Sequence, residues 1–236
     1  MPWLTRALLA YALALAVFLL VPPFLKETFQ PYDVLTWQEA IDLLTPLVVL
    51  PLAWAVIRGA APGRPGRLTI GAFIVLAAIW AEAQGIHLAA NAIGDANPPA
   101  DFLASPAGRL RFELDEVLSH WLWHAAWVGL AVVAFARGHA TEMYPRQGTR
   151  AAAIVAGIVY GATFAIVALE GVTTALAIPA SLGFAAWAAA SAGGRLARRP
   201  LAEFVLSGAL ASLAGFAVWG LRFGWDLPEP SVVFHL

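Results

Sequence analysis

The sequence has no cysteine among its 236 residues, which excludes thiolate metal sites, thiol nucleophiles and disulfides together. It is also poor in charge. Asp, Glu, Lys and Arg make up 12% of it, against roughly 25% in a soluble domain. A net charge of −1 without a long basic run argues against nucleic-acid binding. Lysine is almost missing: Lys26 stands alone against thirteen arginines, a bias that, with the many alanines, points to a GC-rich prokaryotic genome. There is no internal repeat, and so no inverted-repeat transporter signature.

What is present is apolar sequence. Hydrophobic residues reach 61% and mean hydropathy is +0.75, which rules out disordered and collagen-like chains. Seven segments meet the length rule of roughly 20 apolar residues for a spanning helix, at about 4–24, 37–57, 69–93, 111–136, 150–169, 172–192 and 202–221. The expected fold is all-α, a polytopic seven-transmembrane helix bundle, with residues 1–236 forming a single transmembrane domain. The first segment carries Arg6 ahead of its apolar run, like a signal peptide. Its length, its Val21-Pro22-Pro23 ending and its lack of a small-x-small cleavage site mark it as an uncleaved span. The Ala- and Gly-rich fifth and sixth spans are expected to pack closely.

Arg6 and the loops around 58–68, 137–150 and 193–200 hold ten of the fourteen basic residues. With seven spans these places share one side. The positive-inside rule then puts the N-terminus in the cytoplasm and the C-terminus outside, in a prokaryotic cytoplasmic membrane. Acidic residues gather mainly at the outer side. They hardly influence orientation, so their one-sidedness has another cause.

Two polar stripes supply that cause. On the third span Gln84, His87, Asn91 and Asp95 are spaced 3, 4 and 4, one narrow face of an α-helix. Glu82 lies on roughly the opposite face, deeper in the bilayer. On the fourth span Glu113, Glu116, His120 and His124 repeat the same spacing, with Asp115 and Ser119 as a second pair beside them. The spans run in opposite directions, so His87 and His120 both fall roughly 10–12 Å below the outer surface. Glu39 and Asp42 of the second span belong to the same outer layer. Each ionisable group in a span costs a few kcal/mol on insertion scales. A cluster of them is expected to face the bundle interior and to have a function.

His120 and His124 at i,i+4, with His87 from the neighbouring helix, can present three neutral imidazoles to one ion. That set suits zinc with a fourth position open to water. Iron or manganese also accepts a His/carboxylate environment. Glu116, one turn outward of His120, is placed for a general base or a ligand. Asp115, Asp95 and Asp42 are candidates to accept the second ring N–H of a ligand His. Gln84, Asn91, Glu39, Glu113, Ser119 and Glu82 complete the polar surroundings. The same residues also permit a structural hydrogen-bond network, a proton relay, or a haem held between His87 and His120 or His124, although a haem does not need so many carboxylates. His139 reads as a loop residue and His235 as part of a terminal tail. Glu170 falls in an outer turn, and Thr173 and Thr174 are expected to bond back to their own helix. Trp3, Trp37 and Trp225 sit at span boundaries, as interfacial tryptophans do.

Seven spans, the His120-x-x-x-His124 pair, His87 and an in-membrane Asp resemble the integral-membrane metal hydrolases that include alkaline ceramidases and adiponectin-type receptors. The resemblance covers about residues 80–124 and implies a seven-helix bundle, zinc on His87, His120 and His124, and Asp115 or Asp95 orienting the water. It departs in three ways: the family carries its His-x-x-x-His pair on the last span, has Ser where this chain has Ala83, and commonly holds its zinc towards the cytoplasm, whereas the site here is expected on the outer side. The expected function is a membrane-embedded, metal-dependent hydrolase of a membrane lipid or lipid-like amphiphile. The alternatives are a metal-ion or proton carrier or sensor, and a haem electron-transfer protein. No nucleic-acid partner is expected.

Overall fold

The computed structural model describes residues 3–30, 35–97, 100–142 and 148–234. Seven helices are long and apolar enough to cross a membrane: Trp3–Phe24, Trp37–Gly59, Arg67–Gly94, Pro106–Gly138, Thr149–Glu170, Thr174–Ala192 and Pro200–Phe223. The chain therefore has the make-up of an all-helical integral membrane protein. Among the described residues there is no strand, only an isolated antiparallel bridge between Thr28 and Thr36. The helices are α1 (Trp3–Leu20), α2 (Trp37–Gly59), α3 (Arg67–Ala96), α4 (Ala100–Ala104), α5 (Pro106–Phe112), α6 (His120–Gly138), α7 (Thr149–Glu170), α8 (Thr174–Ala192), α9 (Pro200–Phe223) and α10 (Pro230–Phe234). The fourth span is α5 and α6 joined by a π-helical segment, Glu113–Ser119.

Local sequence fixes the helix ends. α2 opens with a capping box, in which Glu39 N donates to Thr36 Oγ1 and Thr36 N donates to the Glu39 carboxylate. Ser105 caps α5 by accepting from Gly108 N at 3.0 Å, with Pro106 in the first turn. Gly193 ends α8 in the left-handed conformation (φ 51°) and Pro200 opens α9. The third and fourth spans are longer than the apolar runs that announce them. A helix continues for as long as its backbone bonds are made, whereas the apolar run marks only its hydrocarbon part.

α7 is the centre of one half of the bundle, packed on α9 and α1. Gly157 and Gly161 let α9 approach so closely that a methyl group at Gly161 would overlap the carbonyl of Gly208. The fifth span thus packs chiefly on the seventh; the sixth, α8, also rests mainly on α9. α3 pairs with the fourth span and with α2. The arginine-bearing loops meet at one end. Arg137 donates to the carbonyls of Ile57, Ala61 and Gly63, Arg150 pairs with buried Glu203 at 2.6 Å, and Arg195 and Arg199 both reach Glu142. Arg146 and His235 lie outside the described residues.

Candidate metal centre

The site forms where α3 lies against the π segment. A π-helix closes its hydrogen bonds one residue further along than an α-helix, and such segments occur frequently at functional sites. In an α-helix, residues five apart point roughly 140° away from each other. Widening the turn brings them onto one face, and Asp115 and His120 are five apart. Across from them stands His87 of α3. Ligand atoms of His87, Asp115 and His120 all lie within 4.8 Å of one another.

Two of the three are held from behind. His87 Nδ1 is 2.6 Å from Asp115 Oδ1, and Asn91 Nδ2 donates to His87 Nε2 at 3.1 Å. Asp115 is 1% exposed and its second oxygen is 3.2 Å from Arg111 Nη2. Arg111 also donates to Ala90 O and Asn91 Oδ1, which closes the ring of contacts. Its guanidinium lies so close over Gly94 that a side chain there would collide with it. Ser119 is buried and donates to the Asp115 carbonyl, an i,i+4 bond within the π segment. His120 is different: its Nδ1 is buried and has no hydrogen-bond partner, with Glu116 Oε2 the nearest acid oxygen at 3.7 Å. A cation between the three would exchange the single His87–Asp115 contact for two coordination bonds. It would give the donor set two imidazoles and a carboxylate, which zinc, iron and manganese all accept.

The structure assembles part of the expected site and rearranges the rest. His87 and His120 meet, with ring centroids 5.1 Å apart. The third member of the group is Asp115, not His124. His124 sits one turn further along α6, fully enclosed by Trp123, Trp127 and Phe164, with Nδ1 bonded to the His120 carbonyl and Nε2 without a partner. Asp42 is buried on α2 and lies within electrostatic range of His87. Gln84 is buried on α3, one turn before His87. Glu39 is engaged in capping α2, and Glu113 is exposed. Glu82 is exposed on the outer face of α3, away from the group. Asp95 lies on the last turns of α3, and its side chain is outside the described set. His139 is half-buried against Phe135 and Trp187 and bonds its own helix end, and Thr173 bonds back to Ala168.

Sequence reasoning passed over two contributors. Arg111 was legible as a basic residue one turn ahead of Asp115, an i,i+4 pair at the outer end of a span. Gly171, in the turn after α7, lies against the His120 ring; a Cβ there would meet His120 Cγ at 2.9 Å. The next residue, Val172, is held at φ 49°, a left-handed conformation that strains a β-branched side chain. Beside this turn Glu170 Oε2 accepts from Ser231 N at 3.0 Å, and Trp219 Nε1 donates to Pro228 O. The C-terminal segment is thereby folded back over the same end of the bundle. Glu229 of that segment is raised above the ordinary carboxylate range by burial and by neighbouring Glu170.

No protein-family model, curated protein or solved structure matches the chain.

Proposed function

We propose that this protein is a membrane-embedded, metal-dependent hydrolase of a lipid or amphiphile. The observation that carries the reading is the convergence of His87, Asp115 and His120 on one point inside a membrane-spanning bundle. Burying two imidazoles and a carboxylate in a span is expensive unless they are used. A zinc ion there would polarise a carbonyl group and lower the pKa of a bound water towards neutrality. Glu116, half-buried and 3.7 Å from His120, is the residue placed to take and return a proton. Arg111 and Asn91 hold Asp115 and His87 in position, as the partners of metal ligands commonly do.

Two features count against the other readings. Below the group, Trp123, His124, Trp127 and Phe164 form a layer of packed rings, which sets aromatic surface rather than charged groups beneath it, against a carrier. α3 and the π segment pack directly on each other, which leaves no slot for a porphyrin between His87 and His120. The orientation that accompanies the reading, N-terminus cytoplasmic and site facing outside, rests on the arginine bias and is tested with reporter fusions at each end.

The deciding experiment is elemental analysis of detergent-purified protein, wild type beside His87→Ala and His120→Ala, followed by fatty-acid release from ester and amide lipids in mixed micelles. About one zinc per chain, lost in both variants together with turnover, is the expected result. Undiminished turnover in His120→Ala overturns the reading. Iron in place of zinc moves it from hydrolysis to oxygen chemistry, since the same donor set serves iron(II) oxygenases.

A further inference from the structure

Glu82 takes no part in the His/Asp group. It stands near the middle of the third span, Arg67–Gly94, on the outward face of α3. Among the described residues no hydrogen bond or ion pair reaches it. Exposure at that depth is exposure to hydrocarbon, not to water. Ionisable groups in a span almost always face the bundle interior or pair with another polar group, and Glu82 does neither within its own chain. α3 is also the least buried of the seven spans, packed mainly on α2 and on the fourth span.

The residues around Glu82 form a seam. Gly71, Val75, Ala78, Glu82, Gly85 and Ala89 are all exposed, and their spacing runs 4, 3, 4, 3 and 4. A repeat of 3.5 residues is the seam of two helices wound in a left-handed coil. Four of the six are Gly or Ala, the residues that let spanning helices approach closely. A Cβ at Gly71 or Gly85 would meet nothing within 4 Å, so no contact inside the chain requires either glycine. Gly157 and Gly161 are the contrast, since α9 closes over both.

We infer that this face of α3 docks a second copy of the same chain, with Glu82 of each copy hydrogen-bonded to its counterpart. Two copies inserted the same way have parallel α3 helices. A two-fold axis along the membrane normal then sets each seam residue against itself at equal depth. Glu82 thereby meets the polar partner that hydrocarbon denies it: one carboxyl group donates its O–H and the other accepts. One polar residue in an apolar seam also fixes register and the number of helices. A span of another protein would have to bring a polar group to that depth, whereas a second copy brings one by symmetry. The seam faces away from His87, so the inference is independent of the hydrolase reading.

The absence of cysteine makes cross-linking a clean test. Ala78→Cys and Ala89→Cys, made singly in the full-length protein, are reconstituted in phosphatidylcholine vesicles at a low protein-to-lipid ratio and oxidised with copper phenanthroline. Each should convert most of the protein to a disulfide-linked dimer. Leu182→Cys on α8 and Val218→Cys on α9, at positions also exposed, should not. Energy transfer between copies fused at the C-terminus to a donor or an acceptor, diluted stepwise in lipid, gives the dissociation constant. Glu82→Leu should raise it about 5–30-fold, the worth of a hydrogen bond between model spanning helices. Glu82→Gln, which still donates and accepts, should keep it close to wild type, and Gly85→Leu should raise it at least as far as Glu82→Leu. Monomers at every dilution, or seam cross-linking no greater than at Leu182, overturn the proposal and leave a polar span of another protein as the occupant. An affinity that Glu82→Leu leaves unchanged overturns it too. Wild-type energy transfer decides the matter even where a variant fails to fold. Neither metal content nor lipid turnover is read, so failure here is distinct from failure of the hydrolase reading.

Discussion

Replacing Asp115 separates the π-helical site from the three-histidine site that spacing alone suggests. Asp115→Asn keeps the shape and removes the charge. It weakens the 2.6 Å contact with His87 and the 3.2 Å contact with Arg111. Breaking a buried ion pair costs about 3–5 kcal/mol. Arg111 and His87 are 17% and 29% exposed and keep other partners, so about 2–3 kcal/mol is expected, as for charge-assisted hydrogen bonds. At about 2–4 °C per kcal/mol for a chain of this size, the melting temperature should fall by roughly 4–12 °C. Metal affinity should fall beyond the ~10–100-fold seen when only a supporting partner of a ligand is lost. His124→Phe is the control. It removes a buried nitrogen without a partner from an aromatic box, and should leave metal affinity within about twofold and stability within about 1 kcal/mol. Both are read by titration against a chromogenic chelator and by thermal melting in detergent. If His124→Phe strips the metal while Asp115→Asn retains it, the argument from the π segment is wrong.

Four further outcomes follow from the packing. Gly171→Ala should push the His120 ring and lower metal affinity by ~10-fold or more, while Gly183→Ala, which meets nothing within 4 Å, should not; elemental analysis compares them. Val172→Gly should raise the melting temperature, since relief of the strained φ is worth about 1 kcal/mol. Gly161→Leu should destabilise the α7–α9 contact by at least the ~1–3 kcal/mol of overpacking, read as a lower melting temperature or loss of folded protein on size exclusion. Glu142 is held below its ordinary value of 4.5 by Arg195 and Arg199. A depressed carboxylate contributes its stabilisation above that ordinary value and loses it as pH falls through the lowered one. The protection of the 193–199 loop amides, taken relative to the intrinsic exchange rate at each pH, should therefore fall below pH 4.5, and also in high salt, because the pair is exposed. Unchanged protection in acid would show that Glu142 does not hold the loop.

The span count and the elements that carry the site were legible because bilayer thickness sets helix length and because ionisable groups in a span are rare enough to notice. His87 and His120 were found for the same reason: matching depth on antiparallel helices follows from residue counting. Asp115 was noticed but given the wrong angle. The spacing argument assumes 100° per residue throughout, and the seven residues from Glu113 to Ser119 do not keep to it. That single change of phase carries Asp115 into the group and leaves Glu113 exposed. His124 lies beyond the π segment, where regular helix keeps it one turn further from the group. Gly171 was invisible for another reason. A glycine reports a close approach only once the approaching ring is known, and His120 is 51 residues earlier in the chain, a separation that only tertiary packing closes. The fold-back of α10 over Glu170 was only half legible: the tail stands on the same side as the group, but a terminus reads first as flexible and a five-residue helix has no periodicity to read.

The π segment also has a genetic meaning. A π turn inside an α-helix is the form a span takes when it carries one residue more than regular winding needs. Deleting a single exposed position such as Val117 would let the fourth span wind as plain α-helix. Asp115 and His120 would then stand four positions apart, a spacing that regular α-helix itself brings onto one face. The wider turn thus absorbs the extra residue locally and keeps the two halves of the span in register, while the apolar length needed to cross the bilayer is unaffected. A bundle with the extra residue and a bundle without it are one codon apart and would hold Asp115 and His120 on the same side of the span.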